Sequence, residues 1–235
     1  MISIIVPIYN EAAIIEQLLD DLLRKANAAF TKEIILVDGG STDATVKKIE
    51  GYSSKNKTIA VKVINSDKGR AIQMNKGARQ AAGSILYFLH ADSHPPKEFD
   101  LLINKAVVSG KPAGCFRMKF DTSHPLLKAS QWFTRFNHRA CRGGDQSLFV
   151  TKSVFEELDG YNESYTVYED CEFINRIYQH YSFTVLPQSI ITSSRKYKAN
   201  GTYRLQYHFA IIHLKKWTGA SPNELSRYYH KYILS

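Results

Sequence analysis

Two hydrophobic periods alternate along the first half of this chain, and each predicts a different element. Ile2 to Ile8 is an apolar run, as expected of a strand buried on both faces. Past Asn10-Glu11 the apolar positions become Ile14, Ile15, Leu18, Leu19, Leu22 and Leu23, which fall on one stripe of a helix. A second buried strand is expected over residues 33–37, meeting Asp38-Gly39-Gly40. Ser41-Thr42-Asp43 then offers capping side chains for a helix reaching about Ile49. Residues 60–64 predict a third strand, residues 70–82 a helix rich in small side chains, and residues 85–89 a fourth strand ending at His90-Ala91-Asp92.

Strand and helix alternating at this spacing predict right-handed crossovers. The class is α/β, a Rossmann-like, mostly parallel sheet with helices on both faces. Ligands of such sheets sit beyond the carboxyl ends of the strands. Three polar clusters lie there: Tyr9-Asn10-Glu11, Asp38-Gly39-Gly40-Ser41 and His90-Ala91-Asp92. The second half is less regular. Residues 115–120 read as a strand, 125–139 as a helix carrying aromatic residues, and 169–181 as a helix with Phe173, Ile174 and Ile177 inside. Residues 183–186 and 190–192 read as two short strands, and residues 202–217 and 222–232 as terminal helices. With no repeat, low-complexity tract or linker, residues 1–235 are expected to form one domain.

Composition narrows the class further. The chain has 235 residues, 44% hydrophobic and 23% charged, which excludes a disordered polymer. The first apolar run is interrupted by Pro7 and lacks a basic flank, so neither a signal peptide nor a membrane span is expected there. Cys115, Cys141 and Cys171 form no CxxC pair and read as reduced thiols of a cytoplasmic protein. A formal charge of +9 admits nucleic acid, an anionic membrane surface or a phosphorylated small molecule as partner. The basic residues read as scattered, the nearest approach to a cluster being Arg195-Lys196-Tyr197-Lys198.

Neither GxGxxG nor GxxxxGK[ST] is present, which argues against dehydrogenases and the common nucleotide triphosphatases. Carboxylates at strand ends are present instead. Asp38 can accept a hydrogen bond from a nucleobase or ribose, or cap the turn into the next helix; alone, the two readings are even. Asp92 can meet a metal-bound diphosphate, because magnesium or manganese is held by one or two carboxylates with water and phosphate oxygens. A lone Asp before Pro95-Pro96 is more often a turn residue. Glu169-Asp170 opens a helix, where the dipole favours acids, or supplies a general base at a pocket edge. Asp145 and Gln146 follow two glycines and could hydrogen-bond sugar hydroxyls, against a plain tight turn before Leu148-Phe149-Val150.

Taken together, Ile4-Ile5-Val6-Pro7-Ile8-Tyr9-Asn10-Glu11, Val37-Asp38-Gly39-Gly40-Ser41-Thr42-Asp43, Leu89-His90-Ala91-Asp92 and Glu169-Asp170 resemble family-two glycosyltransferases. Gly69-Arg70-Ala71-Ile72-Gln73-Met74-Asn75, Gly144-Asp145-Gln146-Ser147-Leu148-Phe149-Val150, Thr192-Ser193-Ser194-Arg195 and Gly219-Ala220-Ser221-Pro222 narrow the likeness to small, single-domain bacterial members. The resemblance implies the A-type glycosyltransferase fold and a nucleotide-diphosphate sugar donor. Residues 1–94 would form the nucleotide-sugar half, 95–200 the acceptor and catalytic half, and 201–235 C-terminal helices. Pro7, Tyr9 and Glu11 would line the base and ribose pocket and Asp38 would touch the base, with Arg70, Ala91 and Arg195 near the nucleotide. Asp92 takes the last position of the family's Asp-x-Asp metal motif, and His90 replaces the first Asp. Asp170 matches the catalytic base, which implies inversion at the anomeric carbon; Asp145, Gln146 and Glu169 would meet the acceptor.

The partners implied are a divalent cation (Mg2+ or Mn2+), a donor with uridine as the first choice of base, and a saccharide or lipid-linked acceptor. The chain lacks Gln-x-x-Arg-Trp, so single transfer is favoured over processive synthesis. Residues 205–217 carry Phe209, Ile211, Ile212, Leu214 and Trp217 beside Lys215 and Lys216, which suits peripheral contact with the inner face of a membrane, or packing on the core or in a homodimer. Three competing readings remain. A degenerate member would bind nucleotide sugar without transferring it. A sugar nucleotidyltransferase would need a glycine-rich basic loop, and Ile8-Tyr9-Asn10-Glu11-Ala12 is not one. A basic nucleic-acid-binding module is disfavoured, because the 14 Tyr and 12 Phe do not alternate with basic residues in a recognition motif.

Overall fold

A computed structural model describes residues 1–54, 58–143 and 146–233. The first half is β1 (Ile2–Ile8), α1 (Ile15–Lys25), β2 (Thr31–Asp38), α2 (Thr45–Ser53), β3 (Ala60–Asn65), α3 (Arg70–Gln80) and β4 (Ile85–Phe88). The second half opens with β5 (Ser93–His94), α4 (Phe99–Val108), β6 (Ala113–Phe120) and α5 (Pro125–Phe133). After a 3-10 turn at Arg139–Cys141 come β7 (Leu148–Thr151), α6 (Lys152–Glu157), α7 (Glu169–His180) and β8 (Phe183–Thr192). Three helices follow: α8 (Arg195–Asn200), α9 (Thr202–Trp217) and α10 (Pro222–Tyr232).

The strands join in one sheet of order β3-β2-β1-β4-β7-β6-β8-β5. β1, β2, β3 and β4 pair in parallel, as do β6 and β8, whereas β7 runs antiparallel to both neighbours and β5 antiparallel to β8. Alternate side chains feed two cores, as a strand's period of two requires. Ile4, Val6, Ile34, Leu36 and Tyr87 pack on the face covered by α1, α2 and α4. Ile5, Ile35, Val37, Leu86 and Phe88 pack on the other, against Ala71, Met74 and Ala78 of α3 and Phe173, Ile174 and Ile177 of α7. Gly77 of α3 lets that helix close on the sheet, since a Cβ there would meet Ile5 Cγ2 at 2.5 Å and Val37 Cγ2 at 3.0 Å.

The elements expected from the pattern form, with three differences. The aromatic helix ends at Phe133, not Arg139, because residues 134–138 leave the helix to bring the backbone carbonyls of Thr134 and Phe136 to the buried Arg142 guanidinium, 2.7 and 2.5 Å away. The two short strands after Tyr181 are one, β8, whose register shifts against β6 between Phe116 and Arg117, the irregularity that Pro187 and its neighbours produce. α2 begins only at Thr45, with Ala44 as its N-cap residue; Asp43 Oδ1 accepts from Thr45 N at 3.0 Å, while Ser41 and Thr42 bind Asp38 and Asn10 instead.

Candidate active site

The site is built from loops at the carboxyl ends of β1, β2 and β4, the first turn of α7, and segments from α5 and α9. The loops after β1 and β2 hold each other. Asn10, left-handed at φ 54, donates its N–H to Ser41 Oγ (2.8 Å) and accepts from Thr42 N at Oδ1 (2.8 Å). Glu11 N donates to Thr45 Oγ1 (2.9 Å) and Ala12 N to Asp43 Oδ2 (3.2 Å). Beneath them Gln73, buried in α3, donates to the carbonyls of Ile8 (2.9 Å) and Val37 (2.7 Å), tying off both strand ends.

Asp38 is buried and caps this turn: Oδ2 accepts from Gly40 N (3.1 Å) and Ser41 N (2.9 Å), and Oδ1 from Ser41 Oγ. Tyr9 stands exposed with Lys68 Nζ 3.8 Å from its ring centre. Pro7 and Ala91 are buried, so they offer a ligand backbone and little side chain. Glu11 meets Arg195 Nη2 at 3.3 Å, an ion pair between the first loop and the start of α8. Burial raises the Glu11 carboxyl above its usual range against the pull of Arg195, and the charge of Asp92 adds to the rise.

Beside this group opens a cavity of about 620 Å³ whose wall carries Arg70, His90, Asp92, Gln146, Glu169 and Asp170. Tyr168 takes φ 75 immediately before Glu169, a conformation rare for a bulky residue and concentrated at functional sites. It turns the chain so that Glu169 and Asp170 open α7 while remaining buried. Glu169 pairs with Arg70 Nε at 2.7 Å across the cavity floor. Burial raises the Glu169 carboxyl, more than Arg70 lowers it. Asp170 Oδ2 lies 3.7 Å from His90 Nε2, an ion-pair distance. Burial works to raise Asp170 as well, but hydrogen bonding to His90 and the charges of His90 and Arg70 outweigh it and hold the carboxyl below its ordinary value. Two adjacent acids are thus driven in opposite directions, the pattern that separates acid and base roles in active sites.

Gln146 is buried and already engaged: its Nε2 donates to Cys141 O at 2.8 Å, and its Oε1 accepts from Cys115 Sγ at 3.4 Å. Asp145 lies outside the described residues. A divalent cation can be tested against the donors present. Asp92 is on the cavity wall and close enough to Glu11 for their charges to interact. His90, at the motif's other position, faces Asp170. Among the described residues no three His, Cys, Asp or Glu side chains form a metal cage. One carboxylate fits a hard cation whose remaining ligands are diphosphate oxygens and water.

The sequence thus pointed to two neighbouring groups. Arg70, Asp92, Gln146, Glu169 and Asp170 share the cavity; Tyr9, Glu11, Asp38 and Arg195 gather on the loops next to it. It missed Lys68 over Tyr9, the Gln73 support and the His90–Asp170 pairing, which join residues 59, 65, 36 and 80 positions apart. The tell-tale in the chain is His90 standing where the resembled motif has an acid.

Comparison with known proteins bears on the family and the fold. The family model described as glycosyl transferase family 2 matches residues 3–157. A PGL/p-HBAD biosynthesis glycosyltransferase of Mycobacterium tuberculosis is 27% identical over 203 residues, covering 83% of this chain and 76% of the relative. An undecaprenyl-phosphate 4-deoxy-4-formamido-L-arabinose transferase of Pseudomonas aeruginosa is 31% identical over 130 residues, 52% of this chain and 37% of the relative. Among solved structures, the mannosyltransferase PcManGT of Pyrobaculum calidifontis, in complex with GDP-Man and Mn2+, superposes with a TM-score of 0.74 at 19% identity over 94% of this chain. Residues 1–349 of S. aureus TarS, in complex with UDP-GlcNAc, give 0.68 at 23% over 83%. The chain spans 64% and 58% of those two structures. Both likenesses show the fold, that of A-type glycosyltransferases.

Proposed function

The chain belongs to glycosyl transferase family 2, and from that footing we propose that it moves a sugar from a nucleotide-diphosphate donor to an acceptor hydroxyl with inversion at the anomeric carbon. The observation that carries the reading is the pair of adjacent buried acids on the cavity wall, with Asp170 held ionised by His90 and Arg70. A carboxylate ionised in a shielded cavity can take a proton from a hydroxyl as that oxygen attacks. Attack from the face opposite the leaving diphosphate inverts the centre.

The donor is assigned to the loops beyond β1 and β2. Tyr9 offers a ring face for a nucleobase and Lys68 a neighbouring cation. Asp38 keeps lone pairs beyond those its turn uses, enough for one further donor from a base or ribose. Arg195 leaves Glu11 for the diphosphate in this reading, because a doubly charged phosphate group outcompetes one carboxylate for a guanidinium. Asp92 would hold Mg2+ or Mn2+ against the diphosphate; when bound, the cation offsets charge on the leaving group. Arg70, partly exposed and paired with Glu169, keeps that raised carboxyl in place, where it can hydrogen-bond an acceptor. Uridine is the assigned base, and residues 1–235 act as one domain.

Saturation-transfer NMR with UDP-GlcNAc and GDP-mannose tests the donor half. Signal transfer to the base and sugar protons of one of them is expected, and absence of transfer to both rejects the reading.

A further inference from the structure

The net charge of +9 is not spread over the molecule. Residues 122–143 hold four Lys or Arg, of which Arg142 is buried, and no acid, and residues 193–235 hold eight with Glu224 alone opposing them. The rest of the chain carries 19 basic and 21 acidic residues, so these two segments supply the whole excess. The reading of scattered basic residues is thereby corrected. In the fold the two segments meet: α5 packs against α9, and the ring of Tyr203 lies 5.4 Å from that of His124. Phe133 from one and Ala210 from the other line the cavity that contains Asp92 and Asp170.

The same rim is aromatic. Trp132, Phe133 and Phe136 contact one another at ring distances of 5.0–6.3 Å and are all exposed, with Arg135 over Trp132. On α9 the exposed positions Tyr203, Tyr207, Ala210, Leu214 and Trp217 follow spacings of three and four, one apolar stripe facing out. This differs from the stripe expected in the sequence, since Ile212 is buried and Phe209 is half-buried against the core. Trp132 and Trp217 are the chain's two tryptophans, 46% and 85% exposed.

We propose that this aromatic and cationic rim docks on an anionic lipid surface, so that the cavity receives an acceptor carried by that membrane. The inference rests on the transferase reading for the acceptor and on the rim alone for the docking. Aromatic side chains enter the headgroup layer, and Lys and Arg beside them meet anionic lipid. A two-fold dimer through the same patch would set like charges against like, because such an interface buries one surface against itself. A lipid surface supplies the opposite charge.

The test uses the whole protein with vesicles of phosphatidylglycerol and phosphatidylcholine, read by flotation and by tryptophan emission. Flotation with anionic vesicles at an ionic strength of about 0.1 M is expected, with emission moving to shorter wavelength and both effects lost near 1 M salt. Lys128→Gln with Arg139→Gln should weaken partition by about 25-fold, about fivefold for each charge removed. Trp132→Ser with Trp217→Ser should reduce flotation while circular dichroism stays unchanged. Four results overturn the proposal. They are no association of the folded protein, equal association with neutral vesicles, a dimer that the tryptophan variant dissociates, or retention by random oligonucleotides in preference to vesicles. Calorimetry with UDP and GDP separates the two readings. Vesicle binding without nucleotide binding rejects the transferase, and nucleotide binding without vesicle binding rejects the docking surface.

Discussion

Asp170 sits where a charge is costly, yet it is held ionised by the imidazole and guanidinium beside it. The proposed base role predicts that Asp170→Asn lowers kcat by about 10²–10⁴-fold. Nucleotide affinity should be retained, because the donor loops do not depend on that carboxylate; full activity in steady-state assays would remove Asp170 from the mechanism. Glu33 shows the same physics put to a structural use. It is buried in β2, salt-bridged to Lys62 at 2.6 Å, and accepts from Ser3 Oγ and Ala82 N at 2.7 Å each. Burial raises its pKa, but these three partners hold it below the usual 4.5. A depressed pKa stabilises the fold at pH above the unfolded value and is lost as pH falls through the folded one. Glu33→Gln should therefore cost about 2 kcal/mol at neutral pH. Thermal melts should show the difference from the parent shrinking below about pH 4.

At the scale of elements, β6 and β8 approach closely at Gly114. A Cβ on Gly114 would collide with the Thr184 backbone oxygen and lie 2.7 Å from Phe149 Cζ. Neither can retreat cheaply, so Gly114→Ala should destabilise by about 2–3 kcal/mol in urea unfolding. An unchanged midpoint would mean that β6 and β8 can part. The first four strands and three helices were legible because each obeys one clean period, apolar runs for β1 and β2 and a stripe for α1. α4, α6 and α8 were not anticipated: six residues in the latter two are under two turns, too short for a stripe to stand out. β8 looked like two strands because Pro187-Gln188-Ser189 interrupts its apolar pattern, and pairing with β6 carries it through. Among site residues, those in strand-end clusters stood out in the chain because three such clusters fall where ligands of parallel sheets sit. Partnerships such as Lys68 with Tyr9 have no local signature.

At the scale of the whole molecule, the loops proposed to hold the donor and the aromatic, basic rim border one cavity. No helix among the described residues is long and apolar enough to cross a membrane. Loop-to-loop ion pairing between Glu11 and Arg195 spans the edge of that cavity. Arg195→Ala should weaken nucleotide-diphosphate binding by about tenfold or more in fluorescence titration while leaving nucleoside binding unchanged, as expected for a charge-assisted contact to phosphate. Equal loss for nucleoside and diphosphate would assign Arg195 a role in shaping the loops instead.

A nucleotide-diphosphate sugar donor met by Asp92 and a divalent cation would be seen in calorimetric titration of the purified protein with UDP and GDP, with and without Mn2+. One nucleotide should bind in the presence of Mn2+, and Asp92→Asn should abolish the metal's contribution. A folded protein that binds neither nucleotide under any of these conditions has no such donor site.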